Sequence, residues 1–171
     1  MASWSSKSTG KSTLSRQLAA HFQTQWVPEW ARDYLAPRGA GVQVVRDDIE
    51  VIAKGQLESE ETLARLAHKV LFCDTDVWTT TLYARHYFDF CPLWMQRLAN
   101  ERRYDLYLLM QPDIAWQEDA QRDSPAFQKV FQARVETELR SRRIPFTPIG
   151  GIGETRLENA IAVIEEFLAR G

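Results

Sequence analysis

The stretch that decides the fold is SSKSTGKSTLSRQLAAHF, which runs from Ser5 to Phe22. Its middle part, Thr9–Thr13, matches the end of the pattern G-x-x-x-x-G-K-[ST], a loop whose backbone N–H groups surround phosphate groups. Leu14, Leu18 and Phe22 then recur at a four-residue spacing, which predicts an apolar helical face that starts at Lys11. The helix N-terminus adds about half a positive charge to the loop. The stretch therefore predicts a phosphate site at the start of a helix.

The entrance to this loop departs from the usual pattern. Ser5 stands where the first glycine is expected, and only Met1–Trp4 precede it. Four extended residues span about 13 Å, so the first strand is expected to be short or missing. We expect residues 7–13 to form a phosphate loop with raised mobility and weakened ATP binding, since Ser5 resists conformations that only glycine adopts easily.

Strands alternate with helices along the rest of the chain, which predicts an α/β fold with a parallel sheet covered by helices on both faces. We expect strands at Thr24–Val27, Val70–Cys73, Tyr104–Met110 and Ile144–Ile149. Helices are expected at Asp47–Lys69, Val77–Tyr87, Pro92–Arg102, Ala126–Arg143 and Glu154–Arg170, with a short helical turn or a loop at Glu29–Ala36. Residues 1–171 are expected to form one domain, with a lid at about 113–125.

Composition excludes several classes of protein. The chain has 171 residues, 44% hydrophobic and 26% charged, with a net charge of −2, which argues against general binding to nucleic acid or anionic membranes. No apolar run approaches the length of a membrane span, and no signal peptide is visible. Cys73 and Cys91 lack metal-type spacing and are expected to be reduced thiols, which favours the cytoplasm. The sequence does not indicate an oligomeric state.

Lys11, Ser12 and Asp74 carry the strongest chemical signal. In such a loop the lysine reaches the terminal phosphates of ATP and the Ser12 hydroxyl binds Mg²⁺. Asp74 follows the apolar run Val70–Cys73, where a carboxylate at a strand end can hold the same Mg²⁺. The alternative is that Asp74 only caps the helix that follows.

Two further segments leave alternatives open. Glu29 follows the second strand and could accept a proton from, or orient, an attacking hydroxyl, but Glu29 and Arg32 could equally form a surface i,i+3 pair. The acidic segment Asp113–Asp123 contains Arg122, which could close over a transferring phosphoryl group. From the residues alone, an ordinary acidic helix entrance is slightly favoured there.

The order of motifs resembles a known family. It runs S-x-x-x-x-G-K-S-T-L, V-P-E-W-A-R-D-Y-L, I-A-K-G-Q, L-F-C-D-T-D-x-x-T-T, Y-D-L-Y-L-L and D-I-A-W-Q-x-D-x-x-R. This series resembles the nicotinamide-riboside kinase domain of the NadR family over nearly the whole chain. The family's loop begins with glycine and carries a glutamate, and the chain departs from it at Ser5 and Lys7.

The resemblance implies ATP- and Mg²⁺-dependent phosphorylation of nicotinamide riboside to the mononucleotide. It implies that the loop residues hold ATP, namely Ser8, Thr9, Gly10, Lys11, Ser12 and Thr13. It further implies that Asp74 and Asp76 belong to the metal and substrate centre and that Arg122 belongs to the lid. The catalytic candidates are then Lys11, Glu29, Asp74 and Arg122, and the candidate metal ligands are Ser12 and Asp74. The implied substrate contacts are Glu29, Arg32, Asp76, Trp116 and Asp119. A pyridinium cation favours aromatic faces and carboxylates, which suits Trp116 between acidic residues.

The sequence therefore predicts a nucleotide-binding kinase of the α/β class that acts on a small nucleoside. Whether Glu29 or Asp76 orients the hydroxyl stays open at this point. Two other hypotheses remain: a kinase for another nucleoside or small metabolite, and a non-catalytic ATP-binding module, which Ser5 and Lys7 favour.

Overall fold

The structure is a computed structural model, which describes residues 10–39, 42–111, 113 and 125–170. Its α-helices are α1 Lys11–His21, α2 Trp30–Leu35, α3 Asp48–Ala64, α4 Val77–Phe88, α5 Leu93–Glu101, α6 Pro125–Ser141 and α7 Glu154–Arg170. Its strands are β1 Trp26–Val27, β2 Phe72–Cys73, β3 Tyr107–Met110 and β4 Phe146–Ile149. A 3₁₀ turn, Ala36–Arg38, follows α2.

The strands form two parallel pairs. Strand β1 pairs with β2, with Val27 opposite Cys73. Strand β3 pairs with β4 over four positions, from Tyr107 opposite Phe146 to Met110 opposite Ile149. Parallel pairs require crossover connections, and helices supply them here, as the alternation of elements predicts.

Helices cover both faces of these strands, because alternate side chains of a strand point to opposite sides. In β3, Tyr107 and Leu109 pack against a core formed mainly by α3, α4, α5 and α6. Leu108 and Met110 pack against a second core on the other face, formed by α1 and α7. The expected α/β arrangement, with helices on both faces, is confirmed.

A cavity of about 900 Å³ separates β2 from β3. It is lined by consecutive residues of both segments, Val70–Asp74 and Tyr104–Met110. Successive side chains of a strand point to opposite faces of the sheet. A cavity that is lined by consecutive residues therefore lies against the edge of each strand. Among the described residues, the expected single sheet is therefore two half-sheets with facing edges.

Several boundaries differ from the sequence-based expectations. Helix α3 ends at Ala64 rather than Lys69, and Lys69 adopts a left-handed conformation with φ 63°. Leu66 falls within the expected helix span but is 65% exposed, because it lies in the turn after the helix. Strand β1 spans Trp26–Val27 rather than the expected Thr24–Val27.

Both cysteines are free thiols, as expected, and burial raises the pKa of each. Within the described residues, none of the helices is both long enough and apolar enough to cross a membrane.

Candidate functional site

Gly10 is the residue that immediately precedes helix α1. Gly10 has φ 72°, a left-handed conformation that glycine adopts without strain, and its carbonyl accepts the first helical hydrogen bond, from Leu14 N at 2.9 Å. Lys11, Ser12 and Thr13 follow on the first turn. The other expected loop residues, Ser8 and Thr9, lie outside the described residues together with Ser5 and Lys7.

The Ser12 hydroxyl and the Asp74 carboxylate meet at the end of β2. Ser12 Oγ donates a hydrogen bond to Asp74 Oδ2. The backbone of Asp74 is fixed by its N–H, which donates to Val27 O at 2.9 Å and extends the β1–β2 ladder by one bond. Asp74 is 8% exposed, and its second oxygen, Oδ1, is buried without a hydrogen-bond partner. This oxygen is available for a ligand.

Glu29 lies beside this pair at the end of β1. It precedes the first residue of α2, and its Oε2 accepts a hydrogen bond from Arg32 Nε at 2.8 Å. Burial raises the pKa of Glu29; the charges of Lys11 and Arg32 oppose that rise, and the charge of Asp74 adds to it. The i,i+3 pair exists, as one alternative expected, but the carboxylate is buried within the electrostatic reach of Lys11 and Asp74.

Asp76 has a different environment. It is the N-cap of α4, and its Oδ1 accepts from Thr79 N at 2.6 Å. The Tyr107 hydroxyl also bonds to its carboxylate, and burial raises the Asp76 pKa. The residue that caps this helix is therefore Asp76, and the alternative role of Asp74 as the cap is wrong. The carboxylate of Asp76 is therefore engaged by hydrogen bonds from Thr79 and Tyr107.

A buried acidic network extends from Asp76 along β3. Glu60, 4% exposed, accepts hydrogen bonds through Oε2 from Arg102 Nη1 at 2.7 Å and from the Tyr104 hydroxyl at 2.8 Å. Burial is the main cause that raises the Glu60 pKa to about 7, and the negative charge of Asp76 adds to it. Sequence reasoning missed this group, although Glu60 lies four residues after Gln56 on the inner face of α3.

Gln56 is a second residue that the sequence reasoning did not assign. Its side chain is buried between the two site segments, with Oε1 accepting from Trp30 N at 2.9 Å and Nε2 donating to Thr75 O at 2.9 Å. The signal was present, because Gln56 follows Ile52 by four residues on an otherwise apolar helical stripe.

The start of the expected lid is fixed through Asp113. Its Oδ2 accepts from Gly151 N at 2.6 Å, and its Oδ1 accepts from Arg156 Nη2. Arg156 is buried and also donates to Gly151 O at 2.6 Å, which ties Asp113 to the loop after β4. Trp116, Asp119 and Arg122 lie outside the described residues, so the lid itself remains an expectation.

The oxygens of Ser12 and Asp74 fit a magnesium ion. Mg²⁺ is usually bound by one or two protein oxygens together with substrate phosphates and water, and the unpartnered Asp74 Oδ1 is such an oxygen. No group of three or more His, Cys, Asp or Glu residues that could hold a metal ion occurs in the described part of the chain. Ser12 and Asp74 would thus supply two of the oxygens around Mg²⁺, with phosphate and water supplying the others.

Comparisons with known proteins identify the family of the chain. The model of the AAA domain family matches residues 6–156. The trifunctional NAD biosynthesis/regulator proteins NadR of Salmonella typhimurium and Escherichia coli are each 31% identical over 147 residues, which cover 84% of this chain. The chain spans only 36% of the length of these relatives.

Two solved structures share the fold. One is NadR protein in complex with NR, with a TM-score of 0.74 and 22% identity over 94% of this chain and 49% of that one. The other is NadR protein in complex with NAD and AMP-PNP, with a TM-score of 0.71 and 24% identity over 93% of this chain and 46% of that one. The resemblance to NadR is confirmed, and the chain belongs to the AAA domain family, with a P-loop α/β fold.

Proposed function

We propose that this chain is a kinase that uses ATP and Mg²⁺ to phosphorylate the 5′-hydroxyl of nicotinamide riboside, giving nicotinamide mononucleotide. The observation that carries the proposal is the meeting of Ser12 and Asp74 below the N-terminus of α1, with buried Glu29 beside them. Similarity to NadR, one structure of which contains NR, supports the choice of substrate. NAD salvage in the cytoplasm is the corresponding role.

Lys11 and the start of α1 would bind the phosphates of ATP. The Lys11 cation and the N-terminal N–H groups of α1 offset negative charge on the transferring group, which is the main demand of phosphoryl transfer. Ser12 and Asp74 would hold Mg²⁺, which supplies further neutralisation of phosphate charge when bound. The unpartnered Asp74 Oδ1 supports this assignment.

We assign the orientation of the 5′-hydroxyl to Glu29 rather than Asp76. Both oxygens of an orienting carboxylate cannot be committed to protein donors, and Asp76 is bonded to Thr79 N and to the Tyr107 hydroxyl. Glu29 accepts a hydrogen bond from Arg32 through Oε2, and its raised pKa suits it to accept a proton as the hydroxyl attacks. Arg32 then holds Glu29 in place.

The pyridinium ring of the riboside would be recognised by an aromatic face and nearby acidic groups. Trp116 and Asp119 are the residues we assign to this role, with Arg122 closing over the phosphates, on the basis of the family resemblance. Two other tryptophans are engaged in packing: Trp78 is buried against Tyr107, and Trp30 stacks on Tyr34.

A steady-state assay with Mg-ATP and a panel of nucleosides tests the proposal. Nicotinamide riboside should give the highest kcat/KM, and it should bind more tightly than its neutral reduced analogue, by a margin that shrinks in Trp116→Ala. Equal binding of the charged and neutral ligands would remove the proposed ring recognition. A preference for another nucleoside would redirect the substrate assignment, and ATP binding without any turnover would favour the non-catalytic module.

A further inference from the structure

The two acidic segments of the site directly follow the paired strands β1 and β2. The last ladder bond between β1 and β2 runs from Asp74 N to Val27 O at 2.9 Å. Gln25 and Val27 are the β1 residues whose carbonyls face β2, so the next β1 residue on that side is Glu29. Beyond this point the chain carries Glu29 on one side and Asp74 on the other, and each negative charge raises the energy of the other.

Gln56 bridges these segments just beyond the end of the ladder. Its Oε1 accepts from Trp30 N, one residue after Glu29, and its Nε2 donates to Thr75 O, the carbonyl between Asp74 and Asp76. Both bonds are 2.9 Å long, and Gln56 is 2% exposed. One amide side chain thus bonds the backbone of both segments.

The Trp30 end of this bridge has a second support. Trp30 is the first residue of α2, so its N–H has no acceptor within the helix, and Glu29 provides no side-chain cap. Gly55, next to Gln56, allows the close approach, since a Cβ there would lie 2.2 Å from Trp30 Cε2. Gly55 and Gln56 together therefore dock the start of α2 on α3.

We propose that Gln56 is a positioning residue that sets the separation of Glu29 and Asp74 by bonding the backbone next to each of them. The effect of Gln56 on turnover rests on the function proposed above, whereas its effect on the positions of Glu29 and Asp74 does not. Gln56 belongs to the I-A-K-G-Q segment, to which the sequence assigned no role. Gln56 keeps the Glu29 and Asp74 carboxylates at a fixed distance beyond the last hydrogen bond of the β1–β2 ladder.

Amide hydrogen exchange, measured by NMR without nucleotide, tests the bridge directly. In the unmodified chain the Trp30 amide should be protected although it is the first residue of a helix. Gln56→Met keeps the length of the side chain and removes both polar atoms, and it should speed this exchange by about fivefold or more. Gln96→Met is the matched control, because Gln96 Nε2 bonds the Cys91 carbonyl at 2.7 Å, away from the carboxylates; it should leave Trp30 unchanged.

Carbon-detected titration of Glu29 provides a readout that a loss of stability alone would not move. Burial and the Asp74 charge raise the pKa of Glu29, whereas the Lys11 and Arg32 charges lower it, so a change in the separation of the segments in Gln56→Met should shift this pKa. An unchanged Glu29 pKa overturns the proposal. Rapid exchange of the Trp30 amide in the unmodified chain also overturns the proposal. This measurement tests the bridge even if Gln56→Met does not fold.

Kinetics separate this proposal from the proposed function. If the chain phosphorylates the riboside, Gln56→Met should lower kcat by about tenfold while the KM for ATP stays the same; an unchanged kcat overturns the positioning role. If the unmodified chain has no kinase activity, the proposed function fails, and Trp30 exchange and the Glu29 titration still decide the role of Gln56.

Discussion

The hydroxyl of Ser12 donates to the carboxylate of Asp74 across 62 residues of sequence, and this bond joins the first turn of α1 to the end of β2. It brings a neutral oxygen and a charged oxygen together while leaving Asp74 Oδ1 without a partner. Together with phosphate oxygens, these two side chains would provide the oxygen ligands that Mg²⁺ prefers.

Asp74→Asn should therefore raise the Mg²⁺ concentration needed for half-maximal activity by about tenfold or more. The neutral amide keeps the size of the side chain but loses the charge that attracts the cation. Asp105→Asn, at an exposed aspartate, is the control and should not change this concentration. Identical Mg²⁺ dependence in Asp74→Asn and the unmodified chain would contradict a metal role.

Lys11→Ala should reduce turnover by about 10²–10³-fold, the usual effect of removing a group that stabilises transition-state charge. The fold should survive, because Lys11 begins a helix in which alanine is well tolerated. Turnover and thermal unfolding should be measured together, with Lys129→Ala at an exposed position of α6 as control. Unchanged turnover with an unchanged melt would argue that Lys11 does not contact the phosphates.

Glu60 should make the free energy of unfolding fall as pH rises. Its pKa in the folded protein is about 7, above the ordinary value of 4.5, so the folded state binds more protons than the unfolded state between these values. Its contribution is fully present below about pH 4.5 and is lost as pH rises through 7. Across this window the loss is on the order of 3 kcal/mol.

Urea unfolding at pH 5 to 8 measures this effect. Glu60→Gln, which cannot titrate, should flatten the decline of stability with pH, whereas Glu158→Gln on the exposed face of α7 should retain it. The comparison with the unmodified chain removes the contributions of Glu29 and Asp76, whose raised pKa values act in the same direction. Equal slopes in Glu60→Gln and the unmodified chain would show that Glu60 is ionised in the folded state at low pH.

The cavity between β2 and β3 should accept one extended strand. Their facing edges carry backbone groups whose burial without partners costs about 1–3 kcal/mol each. A chain with five apolar, β-branched residues added ahead of Met1, together with Ser5→Gly, should melt at a higher temperature and bind ATP more tightly. The control adds five glycine and serine residues instead. If the apolar addition changes neither quantity, the loop with Ser5 is already competent.

Features that depend on neighbouring residues could be predicted from the amino-acid sequence. The spacing of Leu14 and Leu18 defines α1, the apolar run before Asp74 places a carboxylate at a strand end, and the periodic segment Glu154–Arg170 is a helix with the expected bounds. These predictions held because helix periodicity and strand patterning are local. The order of the motifs also gave the family, which the comparisons confirm.

Only the tertiary structure decided which polar groups satisfy each other. Asp74 and Asp76 are two residues apart in the same motif, yet one bonds Ser12 and keeps a free oxygen while the other caps α4. The raised pKa of Glu60 and the bridge formed by Gln56 likewise depend on packing between distant segments. Burial and hydrogen-bond partners are set by contacts between residues far apart in the chain, and no local pattern specifies them.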